Sequence, residues 1–143
     1  MTDRIAEADA ALRAGRLEEG VALIEALLKD EPASPLRLYQ NFTSLLYRKG
    51  KFDKGAEWCR AGLQVYPRDT DLWNILGVCL RRMGELHEAL EALDAGLKIQ
   101  PKNESLLQNK GNILNDLKDG PGAVAIFSRL VRNAPTNAEL QRA

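Results

Sequence analysis

Between residues 70 and 83, apolar or small side chains recur at Leu72, Trp73, Leu76, Gly77, Cys79, Leu80 and Met83. Steps of three and four predict an amphipathic helix with one buried stripe. Gly84 ends it, as a residue tolerant of positive φ commonly does. A second stripe follows at Leu86, Ala89, Leu90, Leu93, Leu97 and Ile99, and Pro101 stops it. The small residues Gly77 and Ala89 are expected where the two helices cross, letting the backbones approach, with Trp73 and Leu80 filling the space beside them. A helix of roughly 14 residues is marginal alone in water, so each pair must lean on neighbours.

The same pattern recurs along the chain. Pro67, Pro101 and Pro135 are spaced by 34, and Pro32 precedes Pro67 by 35. Gly15, Gly50 and Gly84 form one column; Gly20, Gly55, Ala89 and Ala123 form another. Leu28, Leu63, Leu97 and Val131 form a third, and Gly77 pairs with Gly111. Ala61-Gly62-Leu63 returns as Ala95-Gly96-Leu97. Intervals touching the first unit are 35, which places one extra residue near Pro35. Four helix–turn–helix units follow, at about 1–34, 36–69, 70–103 and 104–137, within a single domain over 1–143, and 138–143 begins a truncated terminal helix.

These columns resemble the tetratricopeptide repeat, a 34-residue helix pair that stacks into a right-handed superhelix. In 70–103 the matching residues are Trp73, Leu76, Gly77, Gly84, Ala89 and Pro101, with Leu80 and Leu93 where aromatics are commoner. Leu107, Gly111, Ala123, Phe127 and Pro135 match in 104–137. Tyr39, Gly50 and Pro67 match in 36–69, where Thr43 and Gly55 replace the usual small pair. The first unit keeps Ala8, Gly15, Gly20 and Pro32 but places Asp3, Arg4 and Glu7 at bulky apolar positions, as suits an end unit with nothing packed on it. The resemblance implies an all-α, right-handed α-solenoid of stacked antiparallel helix pairs.

Two departures stand out. Asp119-Gly120-Pro121-Gly122 replaces the usual turn in the last unit, with Pro121 suited to the first turn of its second helix. After Pro135, Thr136–Ala143 starts another helix that is too short to cover Leu114, Leu117, Phe127, Leu130 and Val131. Either a second copy covers that end or the chain is part of a longer polypeptide. Self-association through this end is the favoured expectation, because large exposed apolar patches seldom stay bare.

The resemblance places the first helix of each unit on the concave side. Side chains there not needed for packing are Arg37, Gln40, Asn41, Ser44, Tyr47 and Arg48; then Asp71, Asn74, Ile75, Val78, Arg81 and Arg82; then Ser105, Gln108, Asn109, Asn112 and Asn115. This face is rich in amides, whose paired donor and acceptor match the two groups of an extended peptide backbone. At about 1 kcal/mol net per bond, several together give a grip of micromolar order. Arg13, Arg48, Arg81 and Arg82 gather towards one edge, the chemistry that clamps a carboxylate. The chaperone-tail clamp of some family members resembles a fixed set of Lys, Asn and Arg. Only Asn41 and Arg48 fit it here and the lysines are missing, so that reading is set aside.

Composition narrows the picture. Twenty basic residues balance twenty acidic ones, which argues against nucleic-acid or membrane-surface partners. The balance is uneven along the chain: eight acids and four bases in 1–34 give −4, and seven bases and three acids in 36–69 give +4. Opposed neighbouring patches of this kind attract each other or steer a partner. No apolar run reaches the ~20 residues of a membrane span, and the start of the sequence has no secretory pattern. Cys59 and Cys79 fall on apolar stripes and are expected as buried free thiols, consistent with a cytoplasmic protein. His87, the single histidine, sits beside Glu88 and Glu91 on a solvated face, and no zinc spacing, phosphate loop or calcium loop is present. No cofactor, metal or catalytic site is expected.

The leading expectation is therefore an adaptor that binds an extended segment of another protein in its groove. A second is the substrate-presenting front of a larger enzyme, since similar repeat arrays precede glycosyl- and sulfo-transferase domains, some with an asparagine ladder that Ile75 would interrupt here. A third is a self-associating structural module.

Overall fold

A computed structural model describes residues 2–133. Pro135 and the short terminal helix expected over 138–143 lie outside the described residues. Among the described residues eight helices follow one another: α1 (Thr2–Arg13), α2 (Leu17–Asp30), α3 (Leu36–Arg48), α4 (Phe52–Val65), α5 (Thr70–Arg82), α6 (Leu86–Ile99), α7 (Glu104–Asp116) and α8 (Gly120–Arg132). They form four hairpins stacked in chain order as a right-handed α-solenoid, with no strand among the described residues.

Each hairpin turns in the same way. The turn residues Gly15, Gly50 and Gly84 have φ of 81°, 76° and 82°. The following amide reaches back to close the helix, as Lys51 N–H does to Leu46 O at 2.8 Å and Glu85 N–H does to Leu80 O at 2.9 Å. Lys118 occupies the equivalent place in the fourth hairpin with φ 62°, and Asp119 N–H closes the same bond to Leu114 O at 2.8 Å. A non-glycine residue is thus held left-handed where the other units use glycine. Asp69, Asn103 and Asp119 cap α5, α7 and α8, accepting from Leu72, Leu106 and Gly122 N–H at 2.9–3.0 Å. Pro121 lies in the first turn of α8, as its spacing predicts.

Within the hairpins, small residues permit close crossings. A Cβ on Gly77 would stand 2.6 Å from Leu93 Cδ2, and one on Gly111 would stand 2.5 Å from Phe127 Cζ. Leu93 fills the α5–α6 crossing. Trp73, expected there, packs instead beside Gly96 and donates its indole N–H to Pro67 O at 2.9 Å. The helical period correctly puts Trp73 on the inner stripe, but its place one turn before Gly77 aims it at the far end of α6.

Seams between hairpins differ, and one column explains why. Gly62 lets α4 and α5 approach, with Leu72 and Tyr39 where its Cβ would be, and Gly96 does the same for α6 and α7 with Leu106. The equivalent residue of α2 is Leu27, fully buried. The α4–α5 and α6–α7 backbones lie close along their length, whereas α2 and α3 stand farther apart. Side chains bridge this wider seam. Tyr39 and Tyr66 donate their hydroxyls to Pro32 O and Ser34 O at 2.6 and 2.7 Å. Glu25 accepts from Lys54 Nζ at 3.0 Å and from the Trp58 indole N–H at 2.9 Å, and Lys51 pairs with Glu18 at 2.7 Å. The acidic first unit and the basic second unit therefore attract each other directly.

One apolar core runs from Ala8 to Ile126 and includes Cys59 and Cys79, both free and fully buried. Burial pushes the Cys79 thiol up to about 11 and Cys59 further in the same direction. No helix among the described residues is long and apolar enough to cross a membrane.

Candidate functional site

Curvature fixes which face is hollow. The first helices approach one another, α3 with α5 and α5 with α7, while α4, α6 and α8 do not come comparably close. A stack whose first helices converge and whose second helices splay bends with the first helices inside. Their unpacked side chains line the inner face.

On α3, Arg37, Asn41 and Arg48 are exposed, while Gln40, Ser44 and Tyr47 are half-buried. Gln40 reaches across to α5 and donates from Nε2 to the Asp69 cap at 3.1 Å and to Asp71 at 3.4 Å. The Tyr47 ring stands 5.6 Å from that of Phe52. On α5, Asn74 and Val78 are half-buried. Asn74 Oδ1 accepts from Asn109 Nδ2 at 2.7 Å, so two amides from successive hairpins meet. On α7, Gln108 donates to Asn112 Oδ1 at 3.4 Å, and Asn115 is exposed. Bonded this way, each amide keeps donor or acceptor capacity that these bonds do not use.

The arginines divide into two kinds. Arg81 is held by Asp116, with Nη2 to Oδ1 at 3.2 Å, and this pairing keeps the Asp116 carboxyl below its ordinary range. Arg81 is thus paired with Asp116, unlike the other three arginines expected at this edge. Arg82 lies over the Phe52 ring at 4.6 Å, and Arg13 and Arg48 are exposed. The aspartates Asp69 and Asp116 were not singled out by sequence as partners of the groove residues. The signal was a separation near one repeat length, 29 for Gln40–Asp69 and 35 for Arg81–Asp116. No group of three or more His, Cys, Asp or Glu suited to a metal occurs among the described residues.

A model of the tetratricopeptide repeat matches residues 5–40, 43–104 and 82–138. The chain belongs to the tetratricopeptide-repeat family. Solved structures of the same repeat architecture superpose closely. A crystal structure of MamA protein gives a TM-score of 0.79 at 15% identity, covering 95% of this chain and 74% of that one. A double mutant of MamA from RS-1 gives 0.78 at 16% identity, covering 94% and 75%. At these identities the likeness concerns the repeat fold alone. Among curated proteins, anaphase-promoting complex subunit 3 of Dictyostelium discoideum is 19% identical over 94 residues, which is 66% of this chain. The chain spans about a tenth of that relative's length (10%).

Proposed function

We propose that this tetratricopeptide-repeat chain is a non-catalytic scaffold whose inner face binds an extended segment of another protein. The observation that carries the reading is the Asn74–Asn109 pair, flanked by Gln40, Gln108, Asn112 and Asn115. It joins amides of two successive hairpins, each with donor or acceptor capacity left for a peptide backbone. Arg37, Asn41, Ser44, Tyr47, Arg48, Val78 and Arg82 complete the surface, and Val78 supplies an apolar contact in its middle. Two buried thiols are in keeping with a reducing, cytoplasmic setting.

The test replaces Asn74, Asn109 and Asn112 with Ala. Wild type and variant are compared in affinity capture, and captured proteins are then mapped by deuterium exchange on α5 and α7. The reading predicts lost capture with an unchanged melting curve, and protection of the inner helices in the wild-type complex. Equal capture by both forms would sink it.

A second reading, self-association, is favoured by Val124 and Val131 on α8, which are 65% and 69% exposed. Light scattering over a range of concentrations decides it, and a strict monomer eliminates it.

A further inference from the structure

The last residue of the first helix is an arginine in three consecutive hairpins: Arg13 ends α1, Arg48 ends α3 and Arg82 ends α5. All three are exposed, and among the described residues none pairs with a carboxylate within 4.0 Å. The fourth helix of the row ends at Asp116, which takes up Arg81. The row therefore has a boundary: three free cations, then a neutralised pair.

Acidic groups along the same edge are mostly engaged. Glu18 is bound to Lys51, Glu19 to Arg16 and Glu88 to Arg60, which leaves Asp53 and Glu85 against Arg13, Arg48, Lys49 and Arg82. Cations at helix ends also complement the backbone dipole. Basic residues also close α2, α6 and α8, so what distinguishes this row is its repetition at the same end of successive first helices without a carboxylate partner among the described residues. Arg82 lies over Phe52, which packs against Tyr47, and this contact favours one placement of its guanidinium.

We propose that Arg13, Arg48 and Arg82 form a docking edge for an extended protein segment bearing regularly spaced Asp or Glu side chains. The proposal rests on the groove reading and specifies the partner's chemistry and register. Neighbouring packed helices stand about 8–10 Å apart, and a segment in the extended polyproline II form advances about 3.1 Å per residue with about three residues per turn, so its side chains three apart share one face. Acids three residues apart therefore oppose Arg48 and Arg82. Arg13 lies across the wider first step, so its acid stands farther along the segment than one such interval. Each guanidinium can hold a carboxylate through two parallel N–H···O bonds.

The test uses the full chain and dye-labelled Gly/Ser peptides read by fluorescence anisotropy. One peptide carries three Glu at three-residue intervals, one carries the same three Glu contiguously, and one carries phosphoserine at the spaced positions. The spaced Glu peptide should bind about fivefold tighter than the contiguous one, weakening as salt rises. Arg48→Ala with Arg82→Ala should weaken it by about five- to tenfold, on the scale of two exposed charge pairs, and remove the spacing preference. Arg48→Lys with Arg82→Lys should fall between. Circular dichroism confirms that these exposed substitutions leave the fold intact. Equal binding by wild type and the double Ala variant overturns the proposal, as do no binding by wild type, indifference to spacing, or phosphoserine binding that ignores spacing. The Asn74, Asn109, Asn112 triple variant separates the two readings. If it loses the peptide while the arginine variant keeps it, the groove stands and the edge fails; the reverse outcome keeps the edge and removes the groove.

Discussion

Glu25 offers the most direct test of how the first hairpin is held to the second. Its side chain is 15% exposed and accepts both the Trp58 indole N–H and Lys54 Nζ. Glu25→Ala leaves that N–H, on a residue only 5% exposed, without an acceptor. An orphaned buried donor costs about 1–3 kcal/mol. The Lys54 pair adds less than about 1 kcal/mol, since the lysine is 39% exposed and screened. A total of about 1–4 kcal/mol corresponds to a melting point lower by roughly 2–16 °C for a chain of this size. The assay is thermal and urea unfolding by circular dichroism at pH 7, repeated in a Trp58→Phe background. With no indole N–H to satisfy, the same substitution should then cost about 1 kcal/mol or less. Equal losses in the two backgrounds would refute the reasoning, because the energy would not reside in the bond to Trp58.

Other substitutions and conditions follow from the same geometry. Lys118→Gly should stabilise the chain by about 1 kcal/mol by relieving the left-handed backbone at φ 62°, seen as a higher melting point. Gly62→Leu, which copies Leu27 into the second seam, should destabilise by about 3 kcal/mol in urea unfolding, because even a Cβ there meets Leu72 at 2.9 Å and Tyr39 at 3.0 Å. Burial raises the Glu25 carboxyl, but its bonds to Trp58 and Lys54 outweigh this and hold it below its ordinary 4.5; the Arg81 bond holds Asp116 below 3.8. Their contribution to stability is present above those ordinary values and is lost as pH falls through the depressed ones, so Glu25→Gln should flatten the acid side of a stability–pH curve. Cys59 and Cys79, buried and raised in pKa, should resist a thiol reagent at pH 8 in the native protein and react once it is unfolded.

The helix pairs were legible because their determinants are local and recur. Gly15, Gly50 and Gly84 mark turns that need positive φ, Pro121 marks a helix start, and the apolar stripes give the buried faces. What joins one hairpin to the next was less legible. Gln40 with Asp69, and Arg81 with Asp116, depend on how far successive hairpins slide past each other, and a single chain's spacing leaves that offset open. Trp73 shows the same limit: its stripe was read correctly and its neighbour was not. The charge contrast between the first two units did point to contact, realised in Glu18–Lys51 and Glu25–Lys54.

Leu27 carries a mechanical consequence. Where Gly62 and Gly96 let main chains press together, it acts as a spacer, and the gap is spanned by hydroxyls and ions as well as by apolar side chains. The ion pairs among those links answer to ionic strength, whereas the hydroxyl bonds and the glycine-tight joints do not. The first seam is therefore the joint of the stack whose strength varies most with salt.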